Sequence, residues 1–552
     1  MPRWFRTLPL LAAAFALARS AAAQQPAPIR ADEVRRDLFR IADDSMGGRD
    51  TGSRGNVMAA DYVASVFRAA GLEPAGEAGS YFQTLPFVRF APDTTRPLIA
   101  GGRALVAGRD FVPVVALATW PADGRQAVFA GSTIDTASWP ASIPAGRLVV
   151  FTAPSGWTLR AAFASLGGAR GNPRFAQASA FALVALESTP PEVLDELMQG
   201  RLTTDTAGGA VNLQRPVILL VSRAAAGTLV GGDLASARAG QIGPVLSGAV
   251  AFRTEPLRWP ARNVIGVLRG SDAALGHTYV SVSAHNDHVG FMSVAVDHDS
   301  TRAFNRVVRP MGADSRPREP TAEEAARIRT LLDSLRHVHG TVRRDSIFNG
   351  ADDDGSGTVA LLAIARSLGS GPRPRRSILL VSHAAEERGL LGSAWFTDHP
   401  TLPRDSIVAE IDLDMIGRGD ADDLPKGGSA YLEVVGAKRL STEFGTLLEA
   451  VNARQAAPFA FNYEYDAPGH PLQYYCRADH YSYARYGIPS VSWSRGEHLD
   501  YHQITDEPQY IDYEALARVA TLARDAAAAV ADLDHRPAVD GARTDPHAPC
   551  RQ

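Results

Sequence analysis

The feature that most restricts the fold of this chain is a run of acidic residues followed by glycines. Asp352, Asp353 and Asp354 precede a Gly-Ser-Gly turn. Three adjacent carboxylates repel one another unless a cation lies between them, and the glycines let the backbone turn sharply. The following residues, 358–367, are mostly apolar and predict a buried helix. We therefore expect the aspartates on a loop that enters a helix N-terminus, where negative charge is tolerated.

A second acidic pair, Glu386 and Glu387, follows a predicted strand. Residues 377–382 are apolar enough to be covered on both faces of a parallel or mixed sheet. The pair then lies at the carboxyl end of that strand, where open α/β sheets hold their sites. Either acidic run alone is typical of a solvated surface. Together, at the ends of apolar elements, the two runs favour a metal site.

Strands alternate with helices on both sides of a long insertion. The main predicted elements are helices at 31–42, 56–70, 440–453 and 512–533, and strands at 262–268, 278–284, 406–413 and 488–493. This order predicts an α/β fold with a mixed, mainly parallel sheet between helical layers, built from 31–92 and 258–533. Residues 93–257 contain short apolar runs separated by Gly and Pro, which predict an inserted β-rich accessory domain.

The two ends of the chain have their own character. Residues 1–23 resemble a secretory signal, since Arg3 and Arg6 precede an apolar run and small residues precede Gln24. We expect an exported protein, periplasmic or extracellular, without stable membrane insertion after cleavage. Residues 534–552 predict a disordered polar tail. A net charge of −4 gives no indication of a nucleic-acid partner, and no pattern bears on the oligomeric state.

Cys476 and Cys550 are the two cysteines of the chain. An oxidising compartment permits a disulfide between them, but the second cysteine lies in the polar tail, so the sequence leaves the pairing open. Two cysteines exclude a thiolate-rich metal site.

Five potential metal ligands occur at separate places, each after a strand or before a helix. They are His285, Asp353, Glu387, Asp414 and His502. Two imidazoles and three carboxylates suit a pair of zinc ions bridged by one carboxylate. Such a centre also needs a general base that is not a ligand, and Glu386 is placed for that role.

Five further places in the sequence are weighed as site residues. Asp287, two residues after the first candidate ligand, is expected to fix that imidazole's tautomer. Tyr501 is a candidate donor to an oxyanion. Asp479 and His480 favour a structural role. The acidic and histidine residues at 297–299 and 337–339 have a spacing that could bind a metal, but their polar surroundings favour a solvated surface.

Taken together, these segments resemble the co-catalytic zinc exopeptidase family that includes aminopeptidase S and aminopeptidase Y. The matching segments are 285–288, 349–357, 385–393, 412–417, 477–480 and 501–506. The resemblance covers about 31–92 and 261–533 and implies the zinc exopeptidase fold. The insertion at 93–257 is more weakly similar to the protease-associated domain of relatives.

The resemblance also implies roles for individual residues. The implied ligands are His285 and Asp414 for one zinc, Glu387 and His502 for the other, and Asp353 bridging both. It further implies a cis peptide between Asp353 and Asp354, Glu386 as the base and Tyr501 as the oxyanion donor. Asp352 and Asp412 depart from the family, where asparagine is common at these positions.

The implied activity is that of an aminopeptidase with two Zn²⁺ ions per chain. Peptides would be the substrates, and N-terminal residues would be released through a metal-bridging hydroxide. One alternative is a carboxypeptidase or dipeptidase on the same di-zinc centre. Another is a binding or receptor-like relative without catalysis, whose signature would be missing ligands. Every ligand position is intact in this sequence.

Overall fold

The structure is a computed structural model that describes residues 26–115, 119–154, 159–204, 216–316, 318–543 and 545–552. The predicted secretory signal at 1–23 lies outside the described residues. Within the described part of the chain, no helix combines the length and the apolar character needed to cross a bilayer.

Helices are distributed along the whole described chain. They are α1 (Ala31–Ile41), α2 (Arg54–Ala69), α3 (Leu159–Arg170), α4 (Pro191–Gln199), α5 (Arg223–Val230), α6 (His298–Val308), α7 (Ala322–His339), α8 (Gly357–Gly369), α9 (Leu391–Asp398), α10 (Thr442–Ala453), α11 (His480–Ala484) and α12 (Tyr513–Ala531).

Strands fall into an early, a middle and a late group. The early ones are β1 (Glu73–Pro74), β2 (Phe82–Thr84), β3 (Phe87–Pro92), β4 (Leu98–Ala100), β5 (Arg103–Leu105), β6 (Phe111–Val115), β7 (Trp120–Pro121) and β8 (Gln126–Ser132). The middle ones are β9 (Leu148–Thr152), β10 (Ala180–Val184), β11 (Arg201–Thr204), β12 (Val217–Val221), β13 (Ile242–Val250), β14 (Phe252–Pro256) and β15 (Arg262–Leu268). The late ones are β16 (Tyr279–His285), β17 (Phe291–Asp297), β18 (Arg344–Ile347), β19 (Ser377–His383), β20 (Ile407–Leu413), β21 (Tyr431–Val435), β22 (Ala460–Asn462) and β23 (Ser490–Ser494).

The main sheet has the strand order β1-β15-β19-β16-β20-β23-β21-β22, with β2 also paired to β15. Its centre is parallel, since β16 pairs in parallel with both β19 and β20, and β20 with β23. The pairs β15·β19 and β21·β23 are antiparallel. The sequence-based prediction of a mixed, mainly parallel sheet is therefore confirmed. The parallel strands bring their carboxyl ends to one edge of the sheet.

Helices cover both faces of the main sheet. Alternate residues of β19 belong to opposite cores, because Leu380 packs in the large cluster with α1, α2, α8 and α12 and Leu379 packs with Phe396 of α9 and Tyr483 of α11. Val34, Leu38 and Ile41, which share one face of α1, are all buried. Asp512 caps α12, since its carboxylate accepts a hydrogen bond from the backbone N–H of Ala515.

A second large sheet is formed by residues 98–250. Its order is β5-β4-β13-β8-β9-β10-β12-β6, with β7 on β13. Apolar side chains cover both faces, since Val150 and Val149 belong to different clusters. The segment predicted to be β-rich also contains α3, α4 and α5. The four parallel strands β8, β9, β10 and β12 need crossover connections, and α3 and α4 lie in two of them.

The predicted disordered tail is ordered in the structure, so that expectation was wrong. Cys476 and Cys550 form a disulfide, and the Gln552 side chain accepts a hydrogen bond from the backbone N–H of Tyr475. A covalent bond to a distant segment decides the position of 545–552, and local composition carries no sign of it.

Candidate metal centre

The acidic run forms a loop directly before α8 whose backbone is tied to neighbouring strands. Asp354 accepts hydrogen bonds from the backbone N–H groups of His285 and Met415. The Asp506 carboxylate accepts one from the backbone N–H of Asp353. The Asp353–Asp354 peptide bond is cis, as the resemblance implied. These contacts leave the Asp353 carboxylate free to face the ends of β16 and β20.

The two oxygens of Asp353 face different histidines. Oδ1 lies 3.2 Å from His285 Nε2, and Oδ2 lies 2.9 Å from His502 Nε2. Asp414 Oδ1 is 3.7 Å from His285 Nε2, and Glu387 Oε2 is 2.9 Å from His502 Nε2. The five ligand positions selected from the sequence therefore come together in two groups that share Asp353.

These separations suit two neighbouring cations. Ligand atoms about 2.0–2.1 Å from a tetrahedral zinc are about 3.3 Å from one another. Among the described residues, His285 Nε2 and Asp414 Oδ1 are buried without a hydrogen-bond partner. Burial raises the pKa of Asp414, and a divalent cation would relieve the repulsion between the crowded carboxylates.

Sequence reasoning did not select a third histidine, His288, as a ligand. Its Nδ1 lies 2.8 Å from Glu387 Oε1 and 3.8 Å from Asp353 Oδ2, so the group around His502 has four members. His288 is fully buried, and its Nε2 has no hydrogen-bond partner among the described residues. The available signal was its place in the segment that follows β16, three residues after the first candidate ligand.

Asp287 connects the first imidazole to the Glu386 segment. The Nδ1 of His285 lies 3.1 Å from the carbonyl oxygen of Asp287 and 3.7 Å from its Oδ1. The same carboxylate accepts hydrogen bonds from the backbone N–H of Glu386 and from the hydroxyl of Thr51. With its proton on Nδ1, the ring presents a lone pair at Nε2 towards the shared aspartate, as a metal ligand must.

Glu386 lies beside both groups without belonging to either. Its Oε2 is 3.9 Å from His285 Nε2. Burial, the adjacent Glu387 and the nearby Asp414 hold the pKa of Glu386 well above its usual range. A carboxyl in such surroundings is able to take up and release a proton near neutral pH once a cation partly compensates it.

A buried arginine that the sequence analysis did not single out joins three parts of the site. Arg49 is completely buried. Its guanidinium donates hydrogen bonds to the backbone carbonyls of Ile41, Asn286, Asn349 and Gly350. These carbonyls belong to the end of α1, the turn after β16 and the start of the acidic loop. Arg49 therefore holds the loop in register with the strand that carries the first histidine.

Tyr501 borders a cavity that reaches the two groups. Its ring stacks on His502 with centroids 4.2 Å apart, and its hydroxyl accepts a hydrogen bond of 3.1 Å from Arg477. The cavity extends from Glu386 to the wall formed by β21 and β23. A partly enclosed space beside a cluster of ionisable groups is typical of a ligand site.

The segment 297–299 is not the solvated surface that the sequence predicted. Asp299 is buried and accepts a hydrogen bond of 2.6 Å from Arg343, while His339 Nδ1 lies 3.1 Å from it. The prediction was wrong because the compensating arginine is 44 residues away in the sequence. A third group of potential ligands lies nearby and consists of His298, Asp345 and Glu507. Arg343 also donates to His298, and this cation balances part of the group's negative charge.

The segment that contains these groups of potential ligands is similar to known proteins. Residues 263–527 match the model of peptidase family M28. Aminopeptidase YwaD of Bacillus subtilis is 41% identical over 85 residues, which cover 14% of this chain and 18% of that protein. Leucine aminopeptidase 1 of Paracoccidioides brasiliensis is 32% identical over 185 residues, covering 31% and 44%. A probable glutamate carboxypeptidase of Zea mays is 44% identical over 81 residues, covering 14% and 11%.

Solved structures also align with this chain. A zinc aminopeptidase from Bacillus subtilis aligns with 17% identity and a TM-score of 0.47 over 90% of this chain and 94% of its own. An aminopeptidase from Aneurinibacillus aligns with 16% identity and a TM-score of 0.47 over 94% and 98%. The matched segments span less than half of the length of each of the three curated relatives.

Proposed function

We propose that this chain, whose residues 263–527 match the model of peptidase family M28, is a metallo-exopeptidase that removes N-terminal residues from peptides with two zinc ions. The observation that carries the proposal is the arrangement around Asp353, whose two oxygens face His285 and His502 at 3.2 and 2.9 Å. Each imidazole has a further carboxylate beside it, which gives two adjoining sets of nitrogen and oxygen ligands.

The residues present fit such a pair of ions. One zinc would be held by His285, Asp353 and Asp414, and the other by Asp353, Glu387 and His502, with His288 beside them. Bound zinc would supply Lewis acidity and lower the pKa of a water molecule.

The protein's own groups handle protons and charge in this proposal. Glu386 accepts the proton of the attacking water and passes it to the leaving amine. Tyr501 donates a hydrogen bond from its hydroxyl to the developing oxyanion. That hydroxyl is placed for this role because Tyr501 lines the cavity and its oxygen accepts a hydrogen bond from Arg477. Asp287 keeps the proton of His285 on Nδ1.

The charge of the cavity favours an aminopeptidase over a carboxypeptidase. A carboxypeptidase needs a free cation for the terminal carboxylate of its substrate. Arg477, which lines the cavity, already pairs with Asp314 at 2.6 Å and with Glu497 at 3.3 Å. The free α-ammonium group of an aminopeptidase substrate would instead face the carboxylates that line the cavity.

We also propose an export route and a division into domains. The disulfide between Cys476 and Cys550 is typical of an oxidising compartment, which supports export through the predicted signal at 1–23. The separate sheet within 93–257 supports an inserted protease-associated-like domain beside the peptidase domain of 31–92 and 258–533.

The test is hydrolysis of matched peptides blocked at the N-terminus, at the C-terminus or at neither end. We expect cleavage of C-blocked and unblocked peptides, loss of cleavage when the N-terminus is blocked, and loss of all cleavage after chelation. Glu386→Gln should lower kcat by about 10²–10⁴-fold, while metal analysis still finds two zinc ions per chain. Cleavage of N-blocked peptides alone would favour the carboxypeptidase alternative, and near-normal turnover by Glu386→Gln would remove that residue from its role.

A further inference from the structure

The cavity beside the candidate metal centre has one wall made of two antiparallel strands. In the pairing of β21 with β23, Glu433 lies opposite Ser494 and Val435 lies opposite Ser492. Because side chains alternate between the faces of a strand, these four share one face, and all four line the cavity. Trp493 points to the opposite face and packs in the main core. The strand register therefore places a glutamate in the wall of the cavity beside the candidate metal centre.

One oxygen of the buried Glu433 carboxylate has no hydrogen-bond donor among the described residues. The residue is 1% exposed. Its Oε1 accepts a hydrogen bond of 2.7 Å from the hydroxyl of Tyr431, while its Oε2 has no partner among the described residues. A Cβ at position 496 would lie 2.8 Å from Oε1, so Gly496 leaves the room that the carboxylate occupies. Besides burial, the charged residue that shifts the pKa of Glu433 is Glu464, whose negative charge raises that pKa.

A second glutamate lines the same cavity. Glu497 is 5% exposed, and its Oε2 likewise lacks a partner within the described chain. Arg477 donates to Glu497 Oε1 at 3.3 Å, but it also donates to Asp314 at 2.6 Å and to the hydroxyl of Tyr501. This part of the site therefore contains more carboxylates than cations, and the guanidinium is already shared.

The protonation of the two glutamates reflects this imbalance. Burial raises the pKa of Glu433 to about 7, with the Tyr431 hydroxyl opposing the shift and Glu464 adding to it. Burial raises the pKa of Glu497 to about 8, and Asp314 adds to the shift, while Arg477 and Tyr474 oppose it. An entering cation would displace the protons that these carboxyls otherwise hold.

We propose that this cavity receives the side chain of an N-terminal arginine or lysine, so that the preferred substrates are peptides with a basic first residue. The proposal rests on the proposed aminopeptidase function. A guanidinium or ammonium group would bring donors to Glu433 and Glu497, each of which has an unpaired oxygen. Its aliphatic stem would pack against Val435 and Met415, which also line the cavity. A neutral side chain of the same size would leave both carboxyls unpaired.

The first test compares substrates that differ in charge and match in shape. Aminoacyl p-nitroanilides of arginine and citrulline form one pair, and those of lysine and norleucine form the other. We expect kcat/KM of the zinc-loaded wild-type protein to be about tenfold or more higher for the charged member of each pair, as a charge-assisted hydrogen bond predicts. Equal values within each pair, or a preference for the neutral member, would overturn the proposal and leave aminopeptidase activity standing.

The second test removes the cavity's charge. Glu433→Gln should lower kcat/KM for the arginine substrate by about tenfold and leave the citrulline substrate within about twofold. Glu497→Gln provides a second variant of the same kind should the first fail to fold. Glu514→Gln, on an exposed position of α12, is the matched control and should change neither substrate. A parallel loss for both substrates in both cavity variants would assign the glutamates a structural role.

Failure of the proposed function has a different signature. If no anilide and no peptide is cleaved by the zinc-loaded protein, the aminopeptidase proposal falls. The cavity is then tested alone by calorimetric titration with free arginine and free citrulline. Tighter binding of arginine than of citrulline would support a pocket that selects a basic side chain, and equal binding or none would overturn that proposal.

Discussion

Replacing the buried Arg49 with methionine is expected to destabilise the fold around the metal centre. The guanidinium donates four hydrogen bonds, of 3.2, 3.1, 2.5 and 2.8 Å, to backbone carbonyls of three separate segments. Methionine fills similar space without a donor, so those carbonyls lose a buried partner. Arg49→Lys keeps the charge, but a single ammonium group cannot reach carbonyls arranged around a planar fork.

The magnitude follows from the contacts and the burial. Hydrogen bonds to a charged group contribute roughly 1.5–3 kcal/mol each, but burying the cation opposes them, which is why burial lowers the pKa of Arg49. Breaking a buried charged network by removing one partner costs about 3–5 kcal/mol. We expect the free energy of unfolding to fall by that amount in Arg49→Met and by about half of that amount in Arg49→Lys.

The assay is urea-induced unfolding of the zinc-free protein, followed by tryptophan fluorescence. Arg54→Met is the control, because Arg54 is exposed at the start of α2. A second readout is zinc retention against a competing chelator, since Gly350 directly precedes the acidic loop. A loss below about 1 kcal/mol together with unchanged zinc retention would refute the view that Arg49 holds the loop in place.

Three further predictions follow from the site, the cavity and the tail. His288→Ala should weaken zinc binding by about 10–100-fold in a competition titration with a chromophoric chelator, and unchanged affinity would exclude His288 from the centre. The ratio of kcat/KM for arginine and citrulline anilides should rise between pH 6 and 9, because Glu433 and Glu497, with pKa values of about 7 and 8, become charged there; a flat ratio would contradict this. Cys550→Ser should lower the free energy of unfolding by up to about 4.4 kcal/mol, the loop entropy for a separation of 74 residues; an unchanged urea midpoint would contradict it.

Much of the fold, and the segments that carry the candidate ligands, could be predicted from local patterns. The 3.6-residue periodicity of α1 marked its buried face, and the apolar runs of β16, β19 and β20 marked buried parallel strands. Because parallel strands end at one edge of a sheet, acidic and histidine residues after those runs were expected to meet. Their meeting at Asp353 agrees with that expectation.

Long-range pairing decided what the sequence could not. Arg49 and His288 resemble ordinary polar residues until the tertiary structure buries them against the loop. Glu433 looks like a charged interruption of a strand, and only the register of β21 against β23 turns it into the wall of the cavity. Cys550 lies in a stretch whose composition predicts disorder, yet its disulfide anchors the segment.

Local patterns and long-range contacts determine different features of this protein for one physical reason. Periodicity and turn chemistry act between residues that are close in the chain, so the sequence by itself determined which segments form helices and strands and which chemistry lies at their ends. Burial, hydrogen-bond partners and the balance of charge depend on groups brought together from distant segments, as Arg343 is to Asp299. Only the tertiary structure therefore decided which polar side chains support the centre and which charge the cavity presents to a ligand.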